Sequence, residues 1–415
     1  MNILITHNNF PAQFRHVAEY LGRTPGNKVV FATKNLRKEW FIDGVNKVLF
    51  KPDGELPESP HYPLVNNFEE AIRHGVGMVR TCNALKKKGF IPDVIIGHSG
   101  WGQTMFLRDV YPDTPFIGYF EWYYNANSPE TTFDKRRRSD GQLAQLRLRN
   151  TAILHDLVAC RHGITPTAWQ RSQFPSEFQP KIAQIHDGIN TQYFAPAEGG
   201  RLPIEKLDLP NADLTGAKEL VTYCSRGLEP YRGFPQFYEA LPAILEERPD
   251  CHVLIVGEDR VCYSAKLPDG RTYKQEMTEK IKVDEKRVHF TGPLPYGLYK
   301  QVLQASSAHI YLTWPFVLSW SFLEAMSCGC LMVGSNTEPV REVLRHRENG
   351  LLTDFHSSEK IAKTVIFALN RQDSLTDLRK NARQTILDKY CLSKCLPVHL
   401  NLLAQAAKDG PGRFK

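Results

Sequence analysis

The sequence predicts an α/β protein made of two doubly wound, Rossmann-like domains. Two observations support this fold class. Short apolar segments that suit buried strands alternate with amphipathic helical segments, which is typical of parallel sheets covered by helices on both faces. The same alternation starts twice, once at residue 2 and again near residue 220. A length of 415 residues accommodates two domains of this kind.

The first half opens with a strand at Asn2–Thr6, a polar loop, and a helix over Gln13–Leu21 whose apolar residues recur on one face. Further strands are predicted at Lys28–Ala32, Asp93–Gly97 and Phe116–Phe120. Polar or glycine-rich sequence follows these strands, so we expect polar groups at the carboxyl edge of the sheet.

The second half repeats this pattern. Its first strand leads into a loop containing two arginines and then into a helix over Pro235–Glu247. A second helix is predicted from about Trp320 to Cys328, directly after a strand. The predicted strands of this half are Leu220–Cys224, Cys251–Val256, Val288–Phe290, Ala308–Leu312 and Leu331–Gly334.

These patterns predict domains at residues 1–195 and 217–390. The segment Ala195–Gly216 is rich in proline, glycine and acidic residues, which indicates a linker. A helix at about 391–415 is long enough to pack back on the first domain. Two such domains facing one another would form a cleft at the carboxyl ends of both sheets, where doubly wound folds bind ligands.

Composition excludes several classes of protein. No segment resembles a signal peptide, and no window approaches the roughly 18 apolar residues of a membrane span. The nine cysteines are irregularly spaced and lie mostly in apolar segments, which favours reduced thiols in a cytoplasmic protein. The sequence has no GxGxxG after its first strand, no P-loop and no evident metal motif. A nicotinamide dehydrogenase is therefore poorly supported, and no metal site or cofactor is expected.

The helix that follows Ala308–Leu312 is the most informative feature. Ser319 or Ser321 can cap its start, and Gly329 suits its end. Its unpaired N–H groups and positive dipole end would lie at the carboxyl edge of the sheet, ready for a diphosphate. Glu324 lies in the first turns and can accept hydrogen bonds from sugar hydroxyls. This combination suits a nucleotide sugar.

Two arginines follow the first strand of the second half. Arg226 and Arg232 lie in the loop SRGLEPYRG, with Gly227 and Gly233 beside them allowing close approach of the backbone. Two fixed cations next to a helix start would neutralise the charge that develops on a leaving diphosphate.

These segments resemble three motifs of the retaining GT-B glycosyltransferases of family 4. SRGLEPYRGF is similar to the family's G-R-x-x-x-x-K-G-x segment, and PFVLSWSFLEAMSCG is similar to its E-P-F-G-x-x-x-L-E-A-M-A-x-G signature. The turn at residues 186–190, HDGIN, is similar to the turn that closes the family's first domain. The three motifs span most of the chain in the family's order.

The resemblance implies a UDP- or GDP-linked sugar as donor and assigns roles to the residues of the second domain. Arg226 and Arg232 would hold the donor diphosphate, with Arg232 in place of the family's usual lysine. Glu324 would bind the ribose hydroxyls. The backbone amides of Leu318, Ser319 and Trp320 would approach the β-phosphate, Gly292, Pro293 and Leu294 would flank the base, and Gly257 and Glu258 would line the same site.

One position departs from the family pattern. The family usually has a second glutamate, eight residues before the one at Glu324, that contacts the donor sugar, and Phe316 occupies this position here. The contact with the donor sugar must therefore differ, either through a stacking ring or through a sugar that lacks the usual hydroxyl.

The first domain offers candidates for orienting the acceptor. Asn9, Phe10 and Pro11 lie in the loop after the first strand, where we expect them beneath the donor or acceptor. His98 follows another strand among glycines, and Glu121 follows a third among aromatic residues. Rings beside a carboxylate suit sugar binding, because C–H faces stack on rings while hydroxyls need acceptors.

The net charge of +7 includes the cluster Lys135–Arg138. The pattern favours a solvated helix start, although the cluster suits acceptor phosphates, an anionic membrane face or nucleic acid. Peripheral attachment at the inner membrane face is thus an alternative within a cytoplasmic location.

The function that the sequence favours is that of a retaining glycosyltransferase. Its acceptor would be a glycan, a lipid-linked glycan or another compound with a free hydroxyl. Three alternatives remain: a nucleotide-sugar epimerase of GT-B fold, a glycan- or DNA-binding module, and a DNA-modifying relative. Phe316 and the Lys135–Arg138 cluster are the features that support the binding module.

Overall fold

The computed structural model describes residues 1–55 and 62–410. They divide into two compact units, the first formed by residues 1–188 together with the segment from Ser393 onward, and the second by residues 189–392. Residues 411–415, the end of the predicted C-terminal helix, lie outside the described residues.

The first unit contains a seven-stranded parallel sheet in the order β3-β2-β1-β4-β5-β6-β7. Its strands are β1 (Asn2–Thr6), β2 (Lys28–Thr33), β3 (Val45–Leu49), β4 (Val94–His98), β5 (Phe116–Tyr119), β6 (His162–Thr165) and β7 (Ile182–Gln184). Its helices are α1 (Arg15–Arg23), α2 (Asn66–Lys87), α3 (Leu107–Val110), α4 (Pro129–Thr132), α5 (Asp140–Arg149), α6 (Thr151–Ala159) and α7 (Ala168–Ser172).

Both faces of this sheet are buried. Ile3 and Ile5 of β1 pack into an apolar cluster on one face, whereas Leu4 packs into a separate cluster on the other, as the alternation of a strand requires. The first cluster includes Leu403 and Ala406 of the last helix, α15 (Leu392–Asp409), so this helix covers the sheet of the first unit.

The second unit contains a six-stranded parallel sheet in the order β10-β9-β8-β11-β12-β13. Its strands are β8 (Glu219–Gly227), β9 (Cys251–Glu258), β10 (Val288–Gly292), β11 (Ala308–Tyr311), β12 (Met332–Ser335) and β13 (Leu351–Thr353). Its helices are α8 (Phe234–Glu247), α9 (Tyr273–Lys280), α10 (Tyr296–Ala305), α11 (Trp320–Ser327), α12 (Glu338–Val343), α13 (Ser358–Asn370) and α14 (Thr376–Lys389).

Residues 195–216, expected to form a linker, lie on the second unit. Ile204, Leu207 and Leu209 are buried in the same apolar cluster as Leu220 of β8 and Phe322 of α11. The segment is rich in proline and acidic residues, but its few apolar side chains contribute to a core, and composition alone does not reveal this.

The two sheets share one topological feature. In each, the first strand lies between the second and the fourth, so β1 is flanked by β2 and β4, and β8 is flanked by β9 and β11. The connections that leave the first and fourth strands then run to opposite sides, and the crevice between them at the carboxyl edge is the usual ligand site of such sheets. We call these places the first and second switch points.

The strands predicted from sequence are confirmed to within a few residues. Four further strands, β3, β6, β7 and β13, were not predicted, and all four lie at or next to a sheet edge. Such strands are short or partly polar because only part of their surface is buried, so their hydrophobic pattern is weak. Within the described residues no helix is long and apolar enough to cross a membrane, and all nine cysteines are free thiols.

Candidate active site

Arg232 joins the two loops of the second switch point. It follows β8, and its Nη1 donates hydrogen bonds to the Thr313 hydroxyl at 2.8 Å and to the Val317 carbonyl at 3.0 Å, both in the loop after β11. The same nitrogen lies 3.1 Å from the Tyr311 hydroxyl. Only 6% of Arg232 is exposed. This arginine therefore fixes the loop that leads into α11 and brings a buried positive charge beneath it.

Local sequence explains this placement. Residues Pro230–Arg232 form a single 3-10 turn, and Gly233 then adopts a φ of 65°, which directs the chain into α8. A Cβ atom at Gly233 would lie 2.4 Å from the Leu312 Cβ, so the backbone could not come this close with any larger residue. The tight approach brings the Arg232 side chain within reach of β11.

Arg226 differs from Arg232 in its surroundings. It lies near the end of β8, at a register shift between Cys224 and Gly227, and its side chain is exposed. It forms no ion pair with any residue that the structure describes. The sequence predicts equivalent roles for the two arginines, but the structure separates a buried cation, already bonded to protein, from an exposed one.

An aromatic cluster surrounds Arg232. Tyr231 stacks on Trp314 with the ring centroids 4.3 Å apart, and Phe316 meets both Tyr231 and Tyr263 edge-on. The Tyr263 ring lies over the Arg232 guanidinium at 5.2 Å, which is a cation–π contact. Phe316 is thus a packed member of this cluster and is itself buried.

The start of α11 has the predicted cap. The Ser319 hydroxyl accepts a hydrogen bond from the Ser321 amide, and the helix begins at Trp320, as predicted. The Ser319 amide, however, donates to the Tyr311 hydroxyl at 2.8 Å, so one of the three amides predicted to approach a phosphate is used by protein here. Leu318 is buried and Trp320 is partly exposed.

Glu324 lies on α11 and is 8% exposed. Its Oε2 accepts a hydrogen bond from the Tyr299 hydroxyl of α10 at 2.9 Å. Burial raises the pKa of the Glu324 carboxyl to about 7, and the bond from Tyr299 opposes that shift. The position of this carboxyl was predicted, but its partner Tyr299 was not, because nothing in the sequence indicates which side of α10 faces α11.

The remaining residues predicted for the donor site lie at other strand ends of the same unit. Gly292 ends β10, and Pro293 and Leu294 follow it, with Pro293 exposed and Leu294 packed against the core of the unit. Gly257 and Glu258 end β9. Glu258 forms an ion pair with Arg260, so its charge is compensated. All of them lie at the carboxyl edge of the sheet, as predicted.

The first switch point is lined by imidazole rings. His98, at the end of β4, stacks on Trp101 with centroids 4.1 Å apart, and the His7 ring, just after β1, meets His98 edge-on at 4.9 Å. His7 accepts a hydrogen bond from the Asn9 amide at its Nδ1. Burial, with His98 nearby, holds the pKa of His7 well below its usual range, so this ring is neutral.

Glu121 is the carboxylate of this site. It follows β5, and its Oε2 lies 3.4 Å from His98 Nε2. Its other oxygen accepts a hydrogen bond from the Gln13 side chain at 3.2 Å. The structure therefore brings together His98 and Glu121, which were predicted separately, and His7, which begins the predicted polar loop. It adds Gln13, which was not singled out.

Asp156 holds the loop that follows β4. It is buried on α6, and its Oδ2 accepts hydrogen bonds from the Ser99 hydroxyl at 2.7 Å and the Thr104 hydroxyl at 2.5 Å. Burial raises the pKa of Asp156 to about 7, although these bonds lower it. Sequence analysis missed this residue, because a single aspartate within an apolar helix carries no pattern.

The loop Asn9–Pro11 differs from the prediction. Phe10 is only 3% exposed and packs edge-on against Phe31, so its side chain is part of the core of the first unit. Asn9 bonds to Asn35, and Pro11 is buried. The Phe10 ring packs inward because the adjacent strand β2 presents the apolar ring of Phe31 to it.

The basic cluster Lys135–Arg138 is partly neutralised. Arg138 forms an ion pair with Asp134 at 3.1 Å, and Arg136 lies 3.8 Å from the same carboxylate. Among residues 1–55 and 62–410, no group of three or more histidine, cysteine, aspartate or glutamate side chains is placed to hold a metal ion.

Comparison with known proteins agrees with the fold. Residues 25–194 match the family model described as glycosyl transferase family 4 group, and residues 209–385 match that of the glycosyl transferases group 1. None of the curated proteins that were compared matches the sequence significantly.

Solved structures similar to this protein cover nearly its whole length. A sucrose-phosphate synthase from Thermosynechococcus elongatus has a TM-score of 0.72 at 16% identity, covering 99% of this chain and 100% of its own. HepE from Anabaena, solved with UDP-glucose, has a TM-score of 0.68 at 15% identity, covering 98% and 100%. A glycosyltransferase from Rickettsia africae has a TM-score of 0.67 at 16% identity, covering 98% and 99%.

Two domains with parallel Rossmann-like sheets of this kind define the class of GT-B glycosyltransferases. Since the two family models together match most of the sequence, the chain belongs to family 4 of these glycosyltransferases.

Proposed function

We propose that this protein transfers a sugar from a nucleoside-diphosphate sugar to an acceptor hydroxyl with retention of anomeric configuration. The observation that carries the proposal is the second switch point, where an exposed Arg226 and a buried Arg232 accompany the start of α11. Cations at a helix start suit one ligand class above others, namely a diphosphate.

The second unit then supplies the groups that stabilise the leaving diphosphate. Arg226 meets the phosphate oxygens directly, because its guanidinium is exposed and unpaired within the described part of the chain. Arg232 adds a positive field from below and holds the loop of residues 313–319 in place. As the bond to the sugar breaks, negative charge grows on the diphosphate, and both arginines lower the energy of that state.

Glu324 binds the ribose hydroxyls of the donor. A carboxylate accepts two such hydrogen bonds, and Tyr299 holds it in position. Burial raises the pKa of the Glu324 carboxyl to about 7, so the carboxyl is largely protonated below neutral pH. Since only the ionised form accepts hydrogen bonds from both hydroxyls, the carboxyl must lose its proton to bind them.

His98 and Glu121 orient the acceptor in this proposal. Their contact of 3.4 Å, together with the stacked Trp101, gives a carboxylate beside aromatic surface. In same-face transfer the departing phosphate oxygen takes the acceptor proton, so these residues bind and align the hydroxyl and need not act as a base. The acceptor is a glycan, a lipid-linked glycan or another hydroxyl compound.

Structural neighbours support the type of donor. HepE was solved with UDP, with UDP and glucose, and with UDP-glucose. A uridine or guanosine diphosphate sugar, used without a metal ion or other cofactor, is therefore the proposed donor.

The first experiment is a thermal-shift panel of UDP- and GDP-linked sugars, because a ligand at 100 times its Kd stabilises a protein by about 2.7 kcal/mol. A donor that binds is then incubated with and without candidate acceptors, in the presence of EDTA. Transfer that survives EDTA and yields the same anomer as the donor supports the proposal. Conversion of the donor sugar without an acceptor would instead identify an epimerase.

Arg226→Ala tests the diphosphate contact. We expect a loss of about 100-fold or more in transfer rate, comparable to removal of one group that stabilises transition-state charge, with unchanged thermal stability. Arg345→Ala, which also removes an exposed arginine of the second unit, serves as the control and should leave the transfer rate unchanged. Wild-type turnover in Arg226→Ala would remove this role.

A further inference from the structure

A loop beside the second switch point is fastened by one buried carboxylate. Glu229 follows β8 and is fully buried, and its Oε2 accepts hydrogen bonds from three consecutive backbone amides. These are the amides of Cys262 at 2.9 Å, Tyr263 at 2.9 Å and Ser264 at 2.8 Å. We call residues 260–264 the β9 loop, because they follow β9.

Further contacts hold this loop against the segment that carries Arg232. The Tyr231 amide donates to the Ser264 hydroxyl at 3.1 Å. Gly227 lies so close to the loop that a Cβ atom there would be 2.6 Å from the Arg260 carbonyl oxygen. The β9 loop and residues 229–232 are therefore one cross-linked structure.

The consequence of this arrangement is the position of Tyr263. Its ring covers the Arg232 guanidinium at 5.2 Å and meets the Phe316 ring at 5.2 Å. Trp314 and Phe316 of the same cluster are buried, whereas 41% of Tyr263 is exposed. Tyr263 is thus the ring of this cluster that presents most surface to a ligand.

The buried Glu229 carboxylate is compensated by hydrogen bonds from the β9 loop. Burial of a carboxylate is unfavourable unless strong hydrogen bonds compensate it, and three amides directed at one oxygen are such a compensation. The other oxygen, Oε1, has no hydrogen-bond partner within the described residues. Because three consecutive amides bond to one oxygen, the carboxylate fixes the path of the loop at Tyr263.

We propose that Tyr263 stacks on the sugar ring of the donor and that Glu229 is the positioning residue that holds Tyr263 there. This inference rests on the proposed function, because it takes the diphosphate to lie at Arg226 and Arg232. An aromatic face next to a bound diphosphate suits the apolar C–H face of a pyranose. Sugar recognition then comes from Tyr263 rather than from a carboxylate at position 316, where the buried Phe316 lies.

The test separates the sugar from the nucleotide. Affinities for UDP and UDP-glucose, and for GDP and GDP-mannose, are measured by titration calorimetry on the full-length protein. For the pair that the wild type binds, Tyr263→Ala should weaken the nucleotide sugar up to about tenfold, the upper range of a stacking contact. The affinity for the nucleoside diphosphate alone should change less than about twofold.

Glu229 is tested by its own variants. Glu229→Ala should produce the same selective loss, whereas Glu229→Gln should restore most of the affinity, because its amide oxygen can still accept the three N–H groups. Should Glu229→Ala not fold, Ser264→Ala replaces it, with a smaller loss of about two- to threefold that again affects only the nucleotide sugar.

Two controls complete the design. Glu219→Gln alters another buried carboxylate at the opposite end of β8, where Glu219 pairs with Arg248, and Tyr20→Ala removes an exposed tyrosine of α1. Neither should change the ratio of the two affinities. Equal weakening of both ligands in Tyr263→Ala, or an unchanged ratio in all the variants, overturns the inference while leaving the proposed function intact. A wild type that binds neither pair counts against the proposed function, and the inference then falls with it.

Discussion

The two switch points have the same topology but opposite chemistry. At the first, the side chains that follow β1 and β4 are His7 and His98, packed ring against ring with Glu121 nearby. At the second, the loops that follow β8 and β11 are joined by the Arg232 guanidinium. One site is lined by rings beside the Glu121 carboxylate, whereas the other carries fixed positive charge. The fold determines where a ligand can bind, and the side chains at the strand ends determine which ligand it is.

The two sites also differ in how their loops are held. In the first unit the buried carboxylate Asp156 accepts hydrogen bonds from the hydroxyls of the β4 loop. In the second unit a buried cation and a buried carboxylate, Arg232 and Glu229, hold the loops after β11 and β9. Each site therefore depends on buried ionisable groups that do not themselves need to touch a ligand.

The largest expected effect comes from breaking the second site. Arg232→Ala leaves three protein acceptors without their donor, so we expect a loss of about 3 kcal/mol in unfolding free energy, at about 1 kcal/mol per hydrogen bond. Transfer should be abolished as well. Chemical denaturation and donor titration measure the two effects. Arg232→Lys keeps the charge and should recover part of the stability. A stable, active Arg232→Ala would show that this cation is dispensable.

Breaking the first site should have a smaller and different effect. His98→Ala removes the ring that stacks on Trp101 and contacts Glu121, and we expect the acceptor KM to rise about tenfold, the loss of one stacking contact. The donor KM should remain as in the wild type, because the proposed donor site lies in the second unit. Steady-state kinetics with each substrate varied in turn checks this. A change confined to the donor KM would exchange the roles of the two sites.

The smallest expected effect is a pH dependence of donor binding that distinguishes the second site from the first. The pKa of Glu324 is raised to about 7 in the folded protein, above its ordinary value of 4.5, so this carboxyl binds a proton more readily when folded. Its contribution to stability is therefore full at pH 4.5 and below and falls as the pH rises toward 7. Donor affinity should follow the opposite trend, weakening a few-fold from pH 8 to pH 6 as the carboxylate is protonated.

Glu324→Gln tests this prediction. The amide cannot ionise, so the affinity of the variant for UDP should vary less between pH 6 and pH 8 than that of the wild type. Asp156→Asn in the first unit is the matched control, since the pKa of Asp156 is likewise raised to about 7 by burial. It should alter stability but leave the pH dependence of UDP binding as in the wild type. An identical pH profile in Glu324→Gln would exclude this carboxyl from the nucleotide site.

Much of the second site could be predicted from sequence because its groups are close together in the chain. Arg226 and Arg232 lie in one loop, and Ser319 and Glu324 lie in one helix, so local pattern places them without tertiary information. Glu229 lies in the same loop, but its role is not predictable from sequence. Its partners are the backbone amides of Cys262, Tyr263 and Ser264, and backbone amides carry no sequence signature.

The first site was less predictable. His98 and Glu121 were identified because each directly follows a strand, but nothing local indicated that their side chains lie 3.4 Å apart. Phe10 was expected to face a ligand and instead packs on Phe31 of β2. Most residues of this loop are polar, which predicts exposure for the loop as a whole. An apolar ring within such a loop is nevertheless buried when a neighbouring strand presents an apolar surface.

By itself, the sequence determined that this protein has two parallel α/β domains, and it predicted that a helix start suited to a diphosphate lies beside two arginines. These features follow from periodicity and from residues within a few turns of one another. Only the tertiary structure decided that Arg232 is buried and bonded to the β11 loop while Arg226 is exposed, and that Glu324 meets Tyr299. The physical reason is that burial and pairing depend on which strands and helices become neighbours, and the order of strands in a sheet is not the order in which they occur in the chain.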